Sequence, residues 1–318
     1  MLVGDPKQLP PSVQSVQAKN GGLAISAFER LQTAGAANVM LNVQYRMHPA
    51  ISRFPGQHFY EGLLADDDGD GSAFTRRRSE VAFPWPDPTA PTLFWHVFRA
   101  GVEAASRSGS TSYSNTAEIE AVADVVDQLV AGGAKADEIA VITAYEGQRQ
   151  LLAARLAGHR NMLIGNIDAI QGREQSMVVL SLVRSNEGKG IGFLKGAQRV
   201  NVALTRAKHG LVIIGDAHTF TRYEPWRALL ESYQSRNLLC EGDTLDELRP
   251  LRVKVQSERE GFAAFAASAR DQGGCNVRVN SAHQAPTQGE DAARPCECAQ
   301  CCVAPTQRRQ VSQQESLG

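Results

Sequence analysis

Four short apolar runs alternate with helical patterns in the middle of the chain, and this alternation restricts the fold more than any other feature of the sequence. The runs are LFWHV (93–97), IAVITAY (139–145), MVVLSLV (177–183) and LVIIGD (211–216). Each is almost continuously apolar, as expected for a strand that is buried on both faces of a sheet. Strands that alternate with helices favour a parallel sheet with helices on both faces. We therefore predict an α/β domain in three layers over about residues 39–240.

The segments between these runs have the periodicity of helices. In NTAEIEAVADVVDQLVAGG (115–133), apolar side chains recur at helical spacing. Asn115 and Glu118 have the separation of an N-cap residue and its N3 partner. EGQRQLLAARLAGH (146–159) and AQRVNVALTRAKH (197–209) have similar patterns. These segments therefore supply the helical layers of the predicted domain.

The regions outside this domain differ from it in composition. Residues 241–318 are rich in Gln, Ser, Ala and charged residues with little periodicity, so we expect a mostly disordered tail. No apolar run approaches the ~20 residues of a membrane helix and no signal peptide is evident, so we expect no membrane partner and a cytoplasmic or nuclear location. Because 33 Lys and Arg residues balance 34 Asp and Glu residues, any nucleic-acid binding has to come from a local groove.

Five motifs carry more information together than any of them does alone. In chain order they are GDPKQLPP (4–11), NVQYRMHP (42–49), VITAYEGQR (141–149), IDAIQGREQSMVVLSLVRSN (167–186) and RVNVALTRAKHGLVIIGD (199–216). With this order and spacing, over about residues 1–235, the chain resembles the superfamily 1B nucleic-acid helicases, the group that includes the nonsense-mediated-decay helicase and senataxin. The resemblance implies two RecA-like P-loop NTPase domains with ATP bound in the cleft between them, and movement along nucleic acid from 5′ to 3′.

The resemblance also implies a division of the chain into three parts. Residues 39–240 correspond to the second RecA-like helicase domain, and residues 241–318 to the tail. Residues 1–38 correspond to a remnant of the first RecA-like domain, with the GDPKQLPP motif, and a connector. MLVG would then be the end of a strand in that first domain, so we expect Met1 not to be the biological start.

Two arginines match the family positions that face the γ-phosphate of ATP from the second domain. These are Arg46 in NVQYRMHP and Arg206 in RVNVALTRAKH. Arginine suits this role because its rigid, permanently charged fork can hold two phosphate oxygens. Helical spacing supports the position of the second arginine, since Val200, Leu204 and Ala207 would form a buried stripe that has it at the edge. Without the motif, a solvated arginine beside an amphipathic helix would be the commoner interpretation.

The resemblance assigns further residues to the nucleotide and to catalysis. It places Gln8 against the γ-phosphate, where this side chain would link the nucleotide to nucleic-acid binding. It places Tyr45, Gly172 and Glu174 on the nucleotide side of the cleft. Gly172 would allow close approach of the backbone. By itself, GDPKQLPP is also consistent with an ordinary proline-rich turn.

Five residues are candidates for contact with a nucleic-acid single strand. Thr143, Tyr145 and Gln148 follow a predicted strand end, and phosphate contacts from such a turn would be independent of base sequence. The alternative is a strand-to-helix turn around a packed tyrosine, and the sequence does not choose between the two. By resemblance, Asp168 and Gln171 also reach the nucleic-acid backbone. The expected partner is single-stranded RNA or DNA.

Two elements of a complete P-loop NTPase are not found in the sequence. No segment matches the GxxxxGK[ST] phosphate loop (Walker A). The acidic DEIA (137–140) precedes its strand, whereas a magnesium-binding pair (Walker B) follows one. We therefore assign no metal ligand in this chain. We expect ATP and Mg²⁺ as cofactors, with the magnesium ligands on a first RecA-like domain in the same or another chain.

Two functions remain open on this basis. In the first, the chain is the C-terminal half of an ATP-dependent RNA or DNA helicase or translocase, and it supplies arginine fingers and single-strand contacts to an inter-domain ATP cleft. In the second, it is an ATPase-inactive short protein that binds nucleic acid or a partner. The completeness of the second-domain motifs favours the first.

Overall fold

The structure, a computed structural model, describes residues 1–67, 81–98, 103–105 and 112–254. The strands in this part of the chain are β1 (Val43–Gln44), β2 (Ala65–Asp66), β3 (Thr92–His96), β4 (Glu103–Ala105), β5 (Tyr113–Asn115), β6 (Ile139–Thr143), β7 (Leu163–Asn166), β8 (Gln175–Ser181), β9 (Ala207–Gly215), β10 (Leu239–Glu241) and β11 (Arg249–Pro250). The helices are α1 (Val16–Ala18), α2 (Ala27–Thr33), α3 (Pro49–Phe59), α4 (Thr116–Ala131), α5 (Glu146–Arg155), α6 (Ala197–Leu204), α7 (Ala217–Phe220) and α8 (Trp226–Ser235). Short 3₁₀ segments are Ala136–Glu138, Gly192–Lys195 and Leu245–Glu247, and a π-helical turn covers Lys19–Leu23. None of the described helices has the length and apolar composition that crossing a membrane requires.

Seven of these strands form one sheet, in the order β11-β10-β3-β9-β8-β6-β7. All neighbours in it pair in parallel except β10 and β11, which are antiparallel. In addition, β1 and β2 form a parallel pair, and β4 and β5 form an antiparallel pair. The prediction of a mainly parallel sheet is confirmed.

Side chains on the two faces of the sheet belong to two apolar clusters. In β6, Ile139 and Val141 pack with α4 and α5, whereas Ala140 and Ile142 belong to the cluster that includes α3, α6 and α8. This period of two is the geometry of a strand, and burial of every residue in β6 is typical of a sheet covered on both faces. Helices therefore cover both faces, and the predicted three-layer α/β arrangement is confirmed.

The segment around Arg206 differs from the helix that was predicted through Ala207. Helix α6 ends at Leu204, and β9 begins at Ala207, which pairs with Gln175 of β8. The amide of Gln175 also donates to the carbonyl oxygen of Arg206 (3.0 Å). Pairing with β8 thus replaces the helix after Leu204, and Arg206 lies in the turn between α6 and β9.

The sheet continues beyond residue 240, where the predicted domain ended. Strand β11 pairs with β10 through Arg249–Pro250. Leu245 and Val253 are buried in the two apolar clusters, so the folded domain includes these residues. Strands of two or three residues in a polar segment have no periodic signal, and for this reason the sequence did not predict them. The rest of the predicted tail, with its cysteine-rich segment, lies outside the described residues.

Candidate nucleotide and nucleic-acid site

Arg206 lies beneath the surface at the amino end of β9. Its guanidinium donates to the carbonyl oxygens of Val202 (Nε, 2.9 Å) and Arg173 (Nη1, 3.2 Å) and to Oγ1 of Thr205 (Nη2, 2.9 Å). Only 3% of the residue is exposed. Among the residues that the structure describes, no carboxylate forms an ion pair with it. Arg206 is therefore a buried cation whose hydrogen-bond partners are all neutral.

Burial, and next the charge of Arg46, lower the pKa of Arg206 to about 10. Because this value is well above neutral pH, the side chain remains charged at pH 7. A charge removed from water needs an opposite charge or hydrogen bonds to stabilise it. Glu174 and Asp5 favour the charged form from a distance, but neither bonds to the guanidinium. The site thus has a positive charge that an anion such as phosphate would neutralise.

Arg46 approaches Arg206 at Thr205. Nη1 of Arg46 donates to the carbonyl oxygen of Thr205 (3.2 Å), whose hydroxyl accepts from Arg206. Nε of Arg46 is 2.7 Å from one carboxylate oxygen of Glu174, and the other oxygen is 2.6 Å from Nζ of Lys208. Hydrogen bonds to these two cations lower the pKa of the Glu174 carboxyl, and Lys208 has the larger effect. The structure therefore brings three of the predicted nucleotide residues into one charged cluster.

The loop that contains Gln8 is joined to this side of the domain by a chain of hydrogen bonds. Nε2 of Gln8 donates to a carboxylate oxygen of Asp5 (2.9 Å), which also accepts from the hydroxyl of Tyr60 (2.7 Å). Asn201 of α6 donates to that hydroxyl and to the carbonyl oxygen of Lys7, both at 2.9 Å. Burial, and next the bond to Asp5, raise the pKa of Tyr60 to about 12, so its hydroxyl remains a neutral donor. Gln8 is thereby connected to α6, the helix that precedes the turn containing Arg206.

The other two predicted nucleotide residues are exposed. Tyr45 precedes Arg46, and 71% of it is exposed. Gly172 has a φ of +79°, a left-handed conformation that side chains disfavour, in the turn before Glu174. A Cβ at this position would meet nothing within 4 Å. The backbone conformation, and not a lack of space, therefore accounts for the glycine.

The predicted residues form two groups at opposite edges of the sheet. Glu174 and Arg206 precede β8 and β9, at the amino ends of these strands. Thr143 and Tyr145 lie at the carboxyl end of β6. Because β6, β8 and β9 are parallel, the two groups are separated by about the length of β8, roughly 20 Å for a strand of this length.

The three candidate side chains at the end of β6 are buried within the domain. Thr143 and Gln148 have no exposed surface, and Tyr145 is 2% exposed. The hydroxyl of Tyr145 donates to the carbonyl oxygen of Ile191 (3.0 Å), and Gln148 accepts from the amide of Asn115 (2.8 Å). This is the strand-to-helix turn around a packed tyrosine, so these three side chains have no direct access to a ligand here.

Asp168 and Gln171 are exposed, in the connection between β7 and β8. Both carboxylate oxygens of Asp168 accept from Arg199 of α6 (2.9 and 3.0 Å). Arg199 also donates to the carbonyl oxygen of Phe193 (3.1 Å), and its guanidinium lies 5.6 Å from the centre of the Phe193 ring. The connection is therefore held against the segment that precedes α6.

Gln148 belongs to a buried polar network around Glu118 of α4. The carboxyl group of Glu118 accepts from the hydroxyl of Ser181 (2.7 Å) and the amide of Val183 (2.8 Å), and Gln148 donates to Ser181 (2.9 Å). Asn115 caps α4 by accepting from the amide of Glu118 (3.2 Å), as predicted. The backbone amide of Asn115, however, donates to the side-chain oxygen of Gln148. One carboxylate oxygen of this N3 glutamate thus stabilises the end of β8, and the other accepts from the side-chain amide of Asn115 (3.4 Å).

The buried position of Glu118 makes the stability of the domain depend on pH. Burial is the largest cause of the rise in its pKa from 4.5 to about 8. Between these values the unfolded chain releases a proton that the folded chain retains, so the free energy of unfolding falls as pH rises, by up to ~1.4 kcal/mol per unit. We expect Glu118→Gln, which cannot titrate, to lack this part of the slope. Urea denaturation at about pH 5.5, 6.5 and 7.5 measures it. Equal slopes for the two proteins would contradict the prediction.

Three residues of the nucleotide group were not predicted from the sequence. Lys208 lies in β9, in a segment whose pattern predicted a helix, so no signal in the sequence would place it beside Glu174. Tyr60 and Asn201 bond to each other across 141 positions. No local pattern reports such a contact, because only the packing of α3 against α6 creates it.

The residues described so far fit the phosphate part of a nucleotide site. Arg46, Arg206 and Lys208 provide positive charge, and the amide of Gln8 provides a neutral donor. Within the described ranges, no group of three or more His, Cys, Asp or Glu residues could hold a metal ion. The cluster is therefore suited to phosphate oxygens, and it contains no set of ligands for Mg²⁺.

Comparison with known proteins gives one family and a consistent set of relatives. The model of an AAA domain family matches residues 23–218, more than half of the chain. The regulator of nonsense transcripts 1 homolog of Neurospora crassa is 42% identical over 270 residues, which cover 82% of this chain and 24% of that protein. Regulator of nonsense transcripts 1 of Caenorhabditis elegans is 40% identical over 263 residues, covering 80% and 24%. The ATP-dependent helicase NAM7 of Saccharomyces cerevisiae is 38% identical over 264 residues, covering 80% and 26%.

The chain spans about a quarter of the length of these curated relatives. The matched family region contains Arg46, Glu174 and Arg206. A mainly parallel sheet with helices on both faces is the expected RecA-like fold, which is thereby confirmed. Motifs, fold and relatives agree, and the chain belongs to the superfamily 1B helicases, with an AAA domain as its matched region.

Proposed function

We propose that this chain provides the C-terminal RecA-like half of an ATP-dependent RNA or DNA helicase or translocase. The observation that carries the proposal is the buried charge of Arg206, which no described carboxylate neutralises. In a P-loop NTPase, a cation facing the γ-phosphate stabilises the negative charge of the transition state. An arginine held by neutral groups suits this role because no described carboxylate offsets its charge.

In this proposal, Arg46 and Arg206 are the arginine fingers of an inter-domain ATP cleft. The hydrogen bonds of Arg206 to backbone carbonyl oxygens orient it before ATP binds, which reduces the cost of ordering it during the reaction. Gln8 is the third catalytic residue and contacts the γ-phosphate. Glu174 holds Arg46 on the nucleotide side. Tyr45, exposed beside Arg46, offers its ring to the nucleotide.

The cleft requires a first RecA-like domain, in the same or another chain. That domain would supply the phosphate loop and the carboxylates that hold Mg²⁺. The metal ion neutralises phosphate charge when it is bound. Residues of the present chain would orient the nucleotide and face its γ-phosphate, with Gly172 allowing the backbone turn that precedes Glu174.

Single-stranded RNA or DNA would bind at the carboxyl edge of the sheet. Asp168, which pairs with Arg199, and Gln171 are exposed in the connection between β7 and β8 and are the proposed contacts. Thr143, Tyr145 and Gln148 act from the interior in this proposal. Their hydrogen bonds fix the turn between β6 and α5, whose backbone can then meet phosphates without base specificity.

ATP hydrolysis by a reconstituted pair tests the proposed function. The 318-residue chain is mixed with the first RecA-like domain of the Neurospora crassa relative, and ATP turnover is measured with and without poly(U) RNA or poly(dT) DNA. We expect turnover that neither component has alone and that a single strand stimulates. A stable complex without turnover would contradict the proposal. Nucleic-acid binding without turnover would support the alternative, an ATPase-inactive protein that binds nucleic acid or a partner.

A further inference from the structure

Phe193 is an exposed aromatic residue in a segment whose other large apolar side chains are buried. It lies in the 3₁₀ segment Gly192–Lys195, and 50% of it is exposed. Its neighbours Ile191 and Leu194 have no exposed surface. The ring of Phe193 therefore stands out from a segment that is otherwise anchored in the core.

The backbone on both sides of Phe193 is fixed by buried donors. The hydroxyl of Tyr145 donates to the carbonyl oxygen of Ile191 (3.0 Å), and Nε1 of Trp226 donates to that of Leu194 (2.8 Å). Gly192 has a φ of +53°, and a Cβ there would lie 2.7 Å from the Tyr145 hydroxyl. These contacts hold the turn in the conformation that presents the phenyl ring to solvent. Such pre-organisation lowers the entropic cost of binding.

The surroundings of Phe193 connect it to both proposed nucleic-acid segments. Its ring centre is 6.0 Å from that of Tyr145, in the turn after β6. Arg199 lies over the ring, with its guanidinium 5.6 Å from the ring centre, and holds Asp168 with two hydrogen bonds. Lys195, in the same 3₁₀ segment, is exposed and adds positive charge. The ring therefore lies between the turn after β6 and the connection that precedes β8.

We propose that Phe193 is a stacking platform for one base of a bound RNA or DNA single strand. Proteins that bind single strands combine basic groups with exposed aromatic rings, on which any base can stack. Arg199 is a positioning residue in this arrangement, because it holds the backbone and ring of Phe193 while its charge is satisfied by Asp168. The inference rests on the proposed function, and it adds a base contact where the motifs implied only backbone contacts.

Binding of a labelled single strand by the full chain tests the platform. Fluorescence anisotropy at low salt compares the wild-type chain, Phe193→Ala and Phe193→Trp on oligo(dT) and on an abasic oligonucleotide of equal length. We expect Phe193→Ala to weaken binding to oligo(dT) by about 5-fold to 160-fold, the usual range for one stacked base. Phe193→Trp should retain the affinity. On the abasic strand, all three proteins should bind alike.

Phe98→Ala is a matched control. Phe98 is 57% exposed and stacks on His96 after β3, so it is an aromatic residue of similar exposure outside the proposed site. We expect this variant to bind oligo(dT) as the wild-type chain does. Equal affinity of Phe193→Ala and wild type for oligo(dT) would overturn the inference. An equal loss on the abasic strand would also overturn it and would indicate a structural or protein contact.

The two proposals fail in different ways. If the reconstituted pair hydrolyses ATP under single-strand stimulation but Phe193→Ala binds oligo(dT) normally, the proposed function stands and the platform is wrong. If the pair does not hydrolyse ATP but Phe193→Ala selectively loses binding to oligo(dT), the chain has a base-stacking site without the proposed activity. If the wild-type chain bound neither oligo(dT) nor the abasic strand, the proposed stacking platform would be contradicted.

Discussion

Arg206→Ala is expected to lower the single-strand-stimulated ATP turnover of the reconstituted pair by a factor of about 10³ to 10⁵. This range corresponds to about 4 to 7 kcal/mol of transition-state stabilisation. The expected effect is large because the guanidinium is buried, charged at neutral pH and without a carboxylate partner in the described part of the chain. The affinity for ATP should change far less than the rate, since the charge that this arginine stabilises develops in the transition state.

Two further variants separate catalysis from folding in this experiment. Arg206→Lys keeps a positive charge but loses the fork that bonds to Val202 and Arg173, so we expect it to remain strongly impaired. Arg155→Ala removes an exposed arginine that pairs with Glu120 on α4, and we expect its turnover to equal that of wild type. Thermal unfolding followed by circular dichroism checks that each variant is folded. A folded Arg206→Ala variant with turnover within tenfold of wild type would remove this residue from the active site.

Glu118→Ala is expected to lower the free energy of unfolding by about 3 to 5 kcal/mol. The substitution leaves the amide of Val183 and the hydroxyl of Ser181 without their buried acceptor, and it opens a cavity beneath α4. Each buried group that loses its partner costs about 1 to 3 kcal/mol. Urea denaturation measures the difference. We expect the slope of the free energy of unfolding against urea concentration to be the same in both proteins.

Glu120→Ala is the matched control for this prediction. Glu120 lies two residues further along α4, and its side chain is 63% exposed. Loss of its surface ion pair with Arg155 should change stability by less than about 1 kcal/mol. If Glu118→Ala were as mild as this control, the hydrogen bonds around Glu118 would not be important for stability.

The network around Glu118 also explains an unusual backbone conformation at the end of β8. Val183 has a φ of +72°, which is rare for a β-branched residue and costs roughly 1 to 3 kcal/mol. Glu118 accepts from its amide, and Asn115 donates to its carbonyl oxygen. The backbone N–H and carbonyl groups of Val183 are therefore both held by α4 and its cap, so the conformation depends on the same side chains as the stability.

The centre of the sheet could be predicted because buried parallel strands have a continuous apolar signal. Strand β6 lies within the predicted IAVITAY run, and β9 includes most of LVIIGD. Strand β10 could not be found in this way. It has three residues, and its burial depends on pairing with β3, where Cys240 lies opposite Trp95. A contact between residues so far apart in the chain gives no signal in the local sequence pattern.

The charged residues of the candidate site were predictable from motifs, but their burial was not. The motifs named Arg46 and Glu174 separately, and the structure joins them in an ion pair that spans 128 positions. Gln148 has the same place in a helical pattern whether it faces a ligand or a buried network. Its partners Asn115 and Ser181 are each 33 positions away. Sequence spacing therefore indicated the region of the site and left open which side chains reach its surface.

Helix α6 connects the segment that contains Phe193 to the turn that contains Arg206. Its eight residues extend about 12 Å, with Arg199 near one end and Arg206 just beyond the other. Val200, Val202 and Leu204 are buried between these ends, so the helix cannot slide on the sheet without opening the core. The turn that contains Arg206 and the segment that contains Phe193 are therefore expected to shift together rather than independently.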